Sequence, residues 1–385
     1  MLDRKSASYY PTGGSDYAPN ATKILRFNIT SSNGWLDPST VMVQFKLRNL
    51  HADRNLKLIN PLAANFFRRL RVSVSGVIVE DFADYNRFYN MIHNLLPVER
   101  RMNDFATQFG LNDEFNANGN GDGSIGFDAA DVPTEIEAGD YRVVCFPLFC
   151  GLFNQTKMLP LSFMGSGGIS VELEVVNSLL EVIVSEADVT SDAWVISEPR
   201  LLCDIVILDS QVHNDYASHL QSGKTLPIAF SSFVNQYQSF GNTASPVISL
   251  SRSFTRLKSV FVSFFKPVTT VTTAGTIAGN DFIITSTNVV DTALPLNQIN
   301  HFYHPNFIHP GRSLLAYNTV LALKEEGYYK YHSSNDRVSL SLQIGAKMIP
   351  EQEIIGCSQA YYHLRKALSS HTPDSPYSIN ITDRQ

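Results

Sequence analysis

The stretch FFRRLRVSVSGVIVEDFADYNRFYNMIHNLL, residues 66–96, changes its period halfway along. RLRVSVSG and VIVEDF alternate apolar and polar residues on either side of Gly76, which predicts two strands that turn or bulge where a Cβ would be in the way. From Asp84 the apolar residues recur at spacings of three and four, which predicts an amphipathic helix that ends before Pro97. The segment is therefore predicted as strand, strand, helix.

The same order returns near the C-terminus in RVSLSLQIGAKMIPEQEIIGCSQAYYHLRKAL, residues 337–368. An alternating run again reaches a glycine, and a helical spacing with two tyrosines again follows. A repeat of about half the chain length indicates a duplicated domain, because solenoid units are only ~20–50 residues long. The chain has 385 residues, which is enough for two cores of ordinary size.

Composition excludes several classes of protein. Hydrophobic residues make up 44% of the chain and charged residues 17%, so the chain is globular and not disordered. The net charge is −6 and no block of Lys and Arg exceeds a pair, so no phosphate-binding stripe is present and direct nucleic-acid binding is not expected.

The four cysteines, Cys145, Cys150, Cys203 and Cys357, form no Cys-x-x-Cys pair and are interpreted as core thiols. The N-terminus has no apolar run typical of a signal peptide, and no window approaches the ~18 apolar residues of a membrane span. We therefore expect folding in a reducing, aqueous compartment.

Strand patterns dominate the first half. Residues 1–22 are rich in Tyr, Pro, Gly and Ser without periodicity and predict an extended N-terminal arm. Alternation predicts strands in KILRFNITS and STVMVQFKLRNL, with SNGWLDP as a turn between them, and later in YRVVCFPLF, ISVELEVV and AWVISEPRLLCDIVIL. The first β domain is placed at 23–210, with a loop insertion at about 103–140.

A helix is predicted at 211–224 as the linker, and the second β domain is placed at 225–385 with an insertion at about 267–300. LPIAFSSFVNQYQSF, PVISLSRSF and RLKSVFVSFF are its first predicted strands. Only SSHTPDSPYSINITDRQ follows the second predicted helix, so the second domain lacks its last strands within these 385 residues. We expect the natural chain to continue past Gln385, since an unclosed sheet leaves edges that must be covered.

The order of these features resembles the double jelly-roll major capsid proteins of tailless icosahedral double-stranded DNA viruses, the lineage of adenovirus hexons, membrane-containing phages, virophages and polinton-like viruses. The resemblance lies in NGWLDPSTVMVQFKLRN, in RRLRVSVSGVIVEDFADYNRFYNMIHNLL and in LQIGAKMIPEQEIIGCSQAYYHLRKAL, and spans most of residues 24–368. It implies an all-β fold of two tandem jelly-roll β-sandwiches with short helices and long loop insertions.

The resemblance also implies a function. Homotrimers would form pseudo-hexagonal capsomers that tile an icosahedral shell, with the insertions as an outward crown. The partners would be the chain itself, neighbouring capsomers, and penton and minor capsid proteins, with an internal membrane as a further contact of the arm. The protein would reside in the virion capsid after assembly inside the host cell. The alternative left open is a β-sandwich receptor- or carbohydrate-binding module, with a glycosidase as a third reading.

Two clusters contain residue types that can bind a metal ion. Asn118, Asn120 and Asp122 alternate as in a calcium loop, but Ala129 stands where the closing Glu belongs, so a plain Asn/Gly loop is favoured. Three histidines lie in HFYHPNFIHP, at a spacing that fits no helical ligand pair. They are His301, His304 and His309.

No catalytic residue, cofactor site or metal site is predicted, and the protein is not expected to be an enzyme, because no nucleophile elbow, phosphate loop or zinc motif occurs. Glu80 and Asp81, like Glu325 and Glu326, are interpreted as solvated strand ends or helix caps. Among Arg68, Arg69 and Arg71, the last two share one strand face and are expected to pair with acids of a neighbouring subunit.

Overall fold

The computed structural model describes residues 3–58, 62–93, 135–165, 167–183, 191–236 and 339–355, with shorter pieces at 95–96, 104, 107–109, 247–250, 256–258, 260–261, 270–272, 276–278, 359, 362–364 and 366. Strands account for most of the regular structure. Those before residue 210 are β1 Asp3–Tyr9, β2 Asp16–Tyr17, β3 Ile24–Ile29, β4 Gly34–Asn49, β5 Leu56–Lys57, β6 Phe67–Val74, β7 Val77–Phe82, β8 Glu135–Ile136, β9 Tyr141–Pro147, β10 Ile169–Val175 and β11 Trp194–Ile207.

Helices α1, Tyr85–His93, and α2, Ser210–Gln221, accompany these strands. Short 3-10 turns occupy Ala63–Phe66, Leu161–Phe163 and Leu179–Glu181. Farther along the chain, β12 Thr270–Thr272 pairs with β13 Thr276–Ala278, and β14 Ser339–Ile344 pairs with β15 Lys347–Ile355.

The long strands of the first half form two antiparallel sheets. The first sheet has the order β1-β11-β4-β9, with β2 paired to β11, and the second has the order β3-β10-β6-β7. Counting only these long strands in chain order, the first sheet reads 1-8-3-6 and the second 2-7-4-5. The chain therefore crosses repeatedly between two facing sheets, which is the jelly-roll arrangement.

Period-two alternation places the core between the two sheets. In β3 every second residue is buried, and the residues between them are exposed. Phe45 of β4 is 1% exposed, and its ring lies 5.6 Å from that of Phe67 and 6.4 Å from that of Phe146. Phe66 and Trp194 extend the same aromatic cluster, with ring centroids 4.9 Å apart. The two sheets are thus joined by large apolar side chains.

The strand, strand, helix unit predicted around Gly76 is confirmed as β6, β7 and α1. Ser75 and Gly76 both have positive φ, 50° and 84°, as a two-residue turn with the right-handed twist of a hairpin requires. The second copy of the unit is present in β14 and β15, which turn at Gly345 with a φ of 62°. Residues 362–364 beyond β15 are helical.

The N-terminal arm is corrected by the structure. Residues 3–9 form β1, which pairs along its whole length with β11, from Asp3 opposite Ile207 to Tyr9 opposite Leu201. The prediction of an arm at 1–22 outside the first domain is therefore wrong for this strand, and the first sandwich runs from β1 to β11. Its sequence, DRKSASY, has little apolar alternation because most of this edge strand is exposed and only Ala7 and Tyr9 are partly buried.

The segment SNGWLDP is also corrected. Its second half, from Gly34, begins β4 and is not a turn, since Trp35 and Leu36 pair with Val206 and Ile205 of β11. The register between β4 and β11 shifts in this region. Pro38 falls within that irregularity, where a residue without a backbone N–H is tolerated in a strand.

The second half differs from prediction where it is described. The predicted linker helix at 211–224 is observed as α2 at Ser210–Gln221. Residues 226–236, predicted as a strand, are not in a strand, and neither are residues 247–250 of the next predicted strand. Most of the two predicted insertions, and most of the predicted second sandwich, lie outside the described residues. In the described part of the predicted second domain, β14 and β15 are strands outside the predicted insertion, and β12 and β13 lie within it.

Candidate assembly surfaces

The outer face of the second sheet carries a row of alternating charges. Arg26 of β3, Glu172 of β10, Arg71 of β6 and Asp81 of β7 stand opposite one another in register across all four strands. Arg26 Nη2 lies 2.6 Å from Glu172 Oε1, and Arg71 lies 3.5 Å from Glu172 Oε2 and 3.4 Å from Asp81 Oδ2. Opposite charges directly across strands stabilise the pairing of the sheet.

Arg69 adds a bidentate pair to this row. Its Nε and Nη2 donate to the two carboxylate oxygens of Asp81 at 2.8 and 2.7 Å. The Arg69 guanidinium, with Arg71 beside it, lowers the pKa of the Asp81 carboxyl below its ordinary value. The prediction that Arg69 and Arg71 pair with acids of a neighbouring subunit is therefore wrong, because acids on adjacent strands of the same sheet already neutralise them.

We expect Asp81→Asn to lower the free energy of unfolding by about 0.2–1 kcal/mol at pH 7, as for other partly exposed ion pairs. Because the folded state lowers the pKa of Asp81, its contribution is present above the ordinary aspartate pKa of about 3.9 and is lost as the pH falls through the folded-state value. Urea titrations of both proteins between pH 7 and pH 3 would measure this, and the difference should shrink as the pH falls. A difference independent of pH would contradict the pairing.

The outer face of the first sheet is more apolar at its edge. Within the described part of the chain β9 is paired on one side only, with β4. Tyr141 and Val143 of β9 are 51% and 44% exposed, and the ammonium of Lys46 lies 5.2 Å from the centre of the Tyr141 ring. An exposed, apolar edge strand is a surface suited to association.

The opposite edge of that sheet is held by charge. Arg4 of β1 donates from Nη2 to Asp37 at 2.6 Å and from Nε to Asp204 at 2.7 Å. Ser6 Oγ donates to the other oxygen of Asp204 at 2.8 Å. These bonds lower the pKa of Asp204, chiefly through Arg4. They tie the N-terminal strand to both β4 and β11.

Helix α2 packs at the end of the sandwich where β11 finishes. Asp209 caps it, accepting from the backbone N–H of Gln211 at 2.9 Å. The ring of Tyr216 lies 4.9 Å from that of Trp35, and the ring of His213 is stacked at 4.9 Å on Phe163. These aromatic contacts fix where the chain leaves the first sandwich.

The predicted thiols Cys150 and Cys203 are buried and free, while Cys145 is half-buried and also free. Burial raises the pKa of Cys203 to about 12 and raises that of Cys150 well above its ordinary value, so neither thiol is ionised at neutral pH. Cys357 lies outside the described residues.

Asn118, Asn120 and Asp122 also lie outside the described residues, as do His301, His304, His309, Glu325 and Glu326. In the part of the chain that the structure describes, no three His, Cys, Asp or Glu side chains are grouped as metal ligands would be. Among the described helices, none is both long enough and apolar enough to cross a bilayer. Glu80, interpreted as a solvated strand end, is instead 3% exposed.

No protein-family model and no curated protein sequence matches the chain. Solved structures do match. The chain is similar to VP54 of PBCV-1, as fitted into a reconstruction of the virophage Sputnik, with 15% identity and a TM-score of 0.39 over 56% of this chain and 44% of that one. It is also similar to the Faustovirus major capsid protein, with 7% identity and a TM-score of 0.36 over 57% of this chain and 56% of that one.

A third similarity is to the mavirus major capsid protein, with 12% identity and a TM-score of 0.29 over 54% of this chain and 47% of that one. The chain thus spans about half the length of the structures that it matches. Two of these three structures are named as major capsid proteins. The assignment of this chain as a jelly-roll protein comes from its own strand order and not from these similarities.

Proposed function

We propose that the chain is a structural protein of an icosahedral virus capsid, with two tandem jelly rolls and no catalytic activity. The observation that carries the proposal is the hairpin unit that occurs twice. Its first copy, β6 and β7 with α1, is built into a jelly roll, and its second copy, β14 and β15, also turns within two residues that include a glycine and has helical residues beyond it.

The surface of the second hairpin supports the proposal. An isolated hairpin is marginally stable in water, and β14 and β15 leave several large apolar side chains exposed. These are Leu340, Ile344, Met348, Ile349 and Ile355. In the first copy the inward residues Leu70 and Val72 are fully buried by the facing sheet. A second sandwich would bury the second hairpin in the same way.

The finer form of the proposal is a homotrimer. Three copies, each with two upright sandwiches, would make a pseudo-hexagonal capsomer, and the exposed edge at β9 is a surface through which such a block can associate. Penton proteins, minor capsid proteins and an internal membrane are the further partners proposed, with the virion capsid as the location and the interior of the host cell as the place of assembly.

The oligomeric state tests this form directly. We expect native mass spectrometry of the purified chain to give a single species with the mass of three chains. The trimer should survive dilution, because permanent interfaces of this kind bury ~2,000 Å² or more. Electron microscopy of the same preparation should show pseudo-hexagonal particles. A monomer whose melting temperature rises with added glycan would favour the carbohydrate-binding alternative, and turnover on a glycan panel would favour a glycosidase.

A further inference from the structure

The segment after α2 lies on the first sandwich. Residues 228–235, here named the junction strap, include Ile228, Phe230 and Phe233, which are partly buried against the core of the sandwich. The ring of Phe233 lies 5.0 Å from that of Phe88 in α1 and 5.7 Å from that of Phe149 after β9. The strap therefore contacts the helix and a loop of the first sandwich through apolar groups.

A buried carboxylate stands where the strap and that loop meet. Glu80 of β7 is 3% exposed, and its Oε1 accepts from the backbone N–H groups of Gly151 at 3.1 Å and Phe233 at 3.2 Å. Its Oε2 accepts from the backbone N–H of Leu152 at 2.8 Å. One side chain thus binds two separate segments of the chain.

The fit between these segments is close. A Cβ added at Gly151 would lie 2.0 Å from the backbone oxygen of Ser231, so only glycine allows the strap to pass at this point. Farther along the strap, Asn235 Oδ1 accepts from the backbone N–H of Ala83 at 3.1 Å. The strap is therefore held at Phe233 and Asn235, on either side of the end of β7.

We propose that Glu80 acts as a latch that holds the junction strap against the first sandwich, and so fixes the path by which the chain leaves that sandwich for its second half. A carboxylate in an apolar interior is costly unless hydrogen bonds satisfy it, and here the strap supplies one of the bonds. Docking of the strap and burial of the carboxylate therefore support each other.

The electrostatics agree with this geometry. Burial raises the pKa of Glu80, and the backbone N–H groups of Leu152, Phe233 and Gly151 act against that effect. Apolar contacts of Phe233 alone would hold the strap without needing a charged group. The presence of a buried carboxylate at the contact indicates a specific docked position, because a shift of the strap leaves the carboxylate oxygen short of a donor. The inference is independent of the proposed function.

Hydrogen exchange of the full chain, read by mass spectrometry, tests the latch. In Glu80→Gln, the uncharged amide oxygen is a weaker acceptor for the N–H groups of Gly151 and Phe233, and the amide nitrogen faces the N–H of Leu152, so the strap's hydrogen bond is weakened and the docked side chain is repelled. We expect exchange in a peptide covering 228–236 to be about ten- to a hundredfold faster, as the loss of a charged acceptor implies. Exchange in β4 and β10 should not change.

A second variant makes the test independent of the folding of the first. Gly151→Ala keeps the glutamate at position 80 but sets a methyl group 2.0 Å from the backbone oxygen of Ser231 and 2.8 Å from Glu80 Oε1, so it should also release the strap. Gly14→Ala is the matched control, because a Cβ there meets only the Tyr17 side chain, with the hydroxyl oxygen at 3.8 Å. Unchanged protection of 228–236 in Gly151→Ala would overturn the proposal. So would exchange of 228–236 in Glu80→Gln that is no faster than in the unsubstituted chain.

Discussion

Phe45→Ala should lower the free energy of unfolding of the first sandwich by about 3–5 kcal/mol, the usual cost of removing a large buried ring. Phe45 is 1% exposed and its ring contacts those of Phe66, Phe67 and Phe146. Urea unfolding followed by tryptophan fluorescence would measure the loss. The chain has 2 tryptophans, and both Trp35 and Trp194 lie in this sandwich, so the signal reports on it alone.

Tyr10→Ala serves as the control for Phe45→Ala. Tyr10 is 68% exposed, so the loss of its ring should change the free energy of unfolding by less than about 0.5 kcal/mol. A cost below about 1 kcal/mol for Phe45→Ala would contradict the position of Phe45 between the two sheets.

Gly168→Ala should lower the free energy of unfolding by about 2–4 kcal/mol. Two causes add: the left-handed backbone conformation is unfavourable for alanine, and the new methyl group overpacks the site. Gly168 precedes β10 with a φ of 51°, and a Cβ there would lie 2.3 Å from the backbone oxygen of Ile29 at the end of β3. The substitution should therefore separate the first residues of β10 from β3. The same fluorescence-monitored urea titration gives the free energy.

Gly165→Ala separates the two causes. Gly165 also has a positive φ, 70°, but a Cβ there meets nothing within 4 Å. Gly165→Ala should lower the free energy of unfolding by only about 1–2 kcal/mol, because the left-handed backbone conformation is then the one cause. Equal costs for the two glycines would show that the contact with Ile29 does not matter, contrary to the structure.

If residues 1–22 were a detached arm, their removal would leave the stability of the first sandwich unchanged. The pairing of β1 with β11 predicts a different result. Removing β1 leaves β11 without its partner on that side and removes the Arg4 contacts to Asp37 and Asp204. We therefore expect this truncation to lower the stability of the first sandwich itself.

Local patterns made part of the fold predictable. The strands β3, β6, β7, β9, β10 and β11 lie where period-two alternation predicted them, and α1 lies where the spacing changes after Asp84. The turn at Gly76 was predictable because only a few residues adopt its φ. These features depend on residues a few positions apart, which the sequence displays directly.

Other features depend on residues that are distant along the chain. β1 is a strand because β11, nearly two hundred residues later, supplies its hydrogen bonds, and the seven residues DRKSASY carry little sign of it. The apolar residues of the junction strap predicted a strand, yet they pack on α1 and the loop after β9. The partners of Arg69 and Arg71 were likewise assigned to another subunit, although Asp81 and Glu172 lie on neighbouring strands.

The sequence by itself determined strands β3, β6, β7, β9, β10 and β11, helix α1, where the hairpin turns, and that the hairpin unit occurs twice, because these follow from side-chain period and backbone sterics. Only the tertiary structure decided the 1-8-3-6 and 2-7-4-5 order of the sheets, the charge row across the second sheet, and the burial of Glu80. The physical reason is that sheet order, ion pairing and burial depend on which distant segments meet. The sequence around a glutamate does not show whether its carboxylate faces water or three backbone N–H groups.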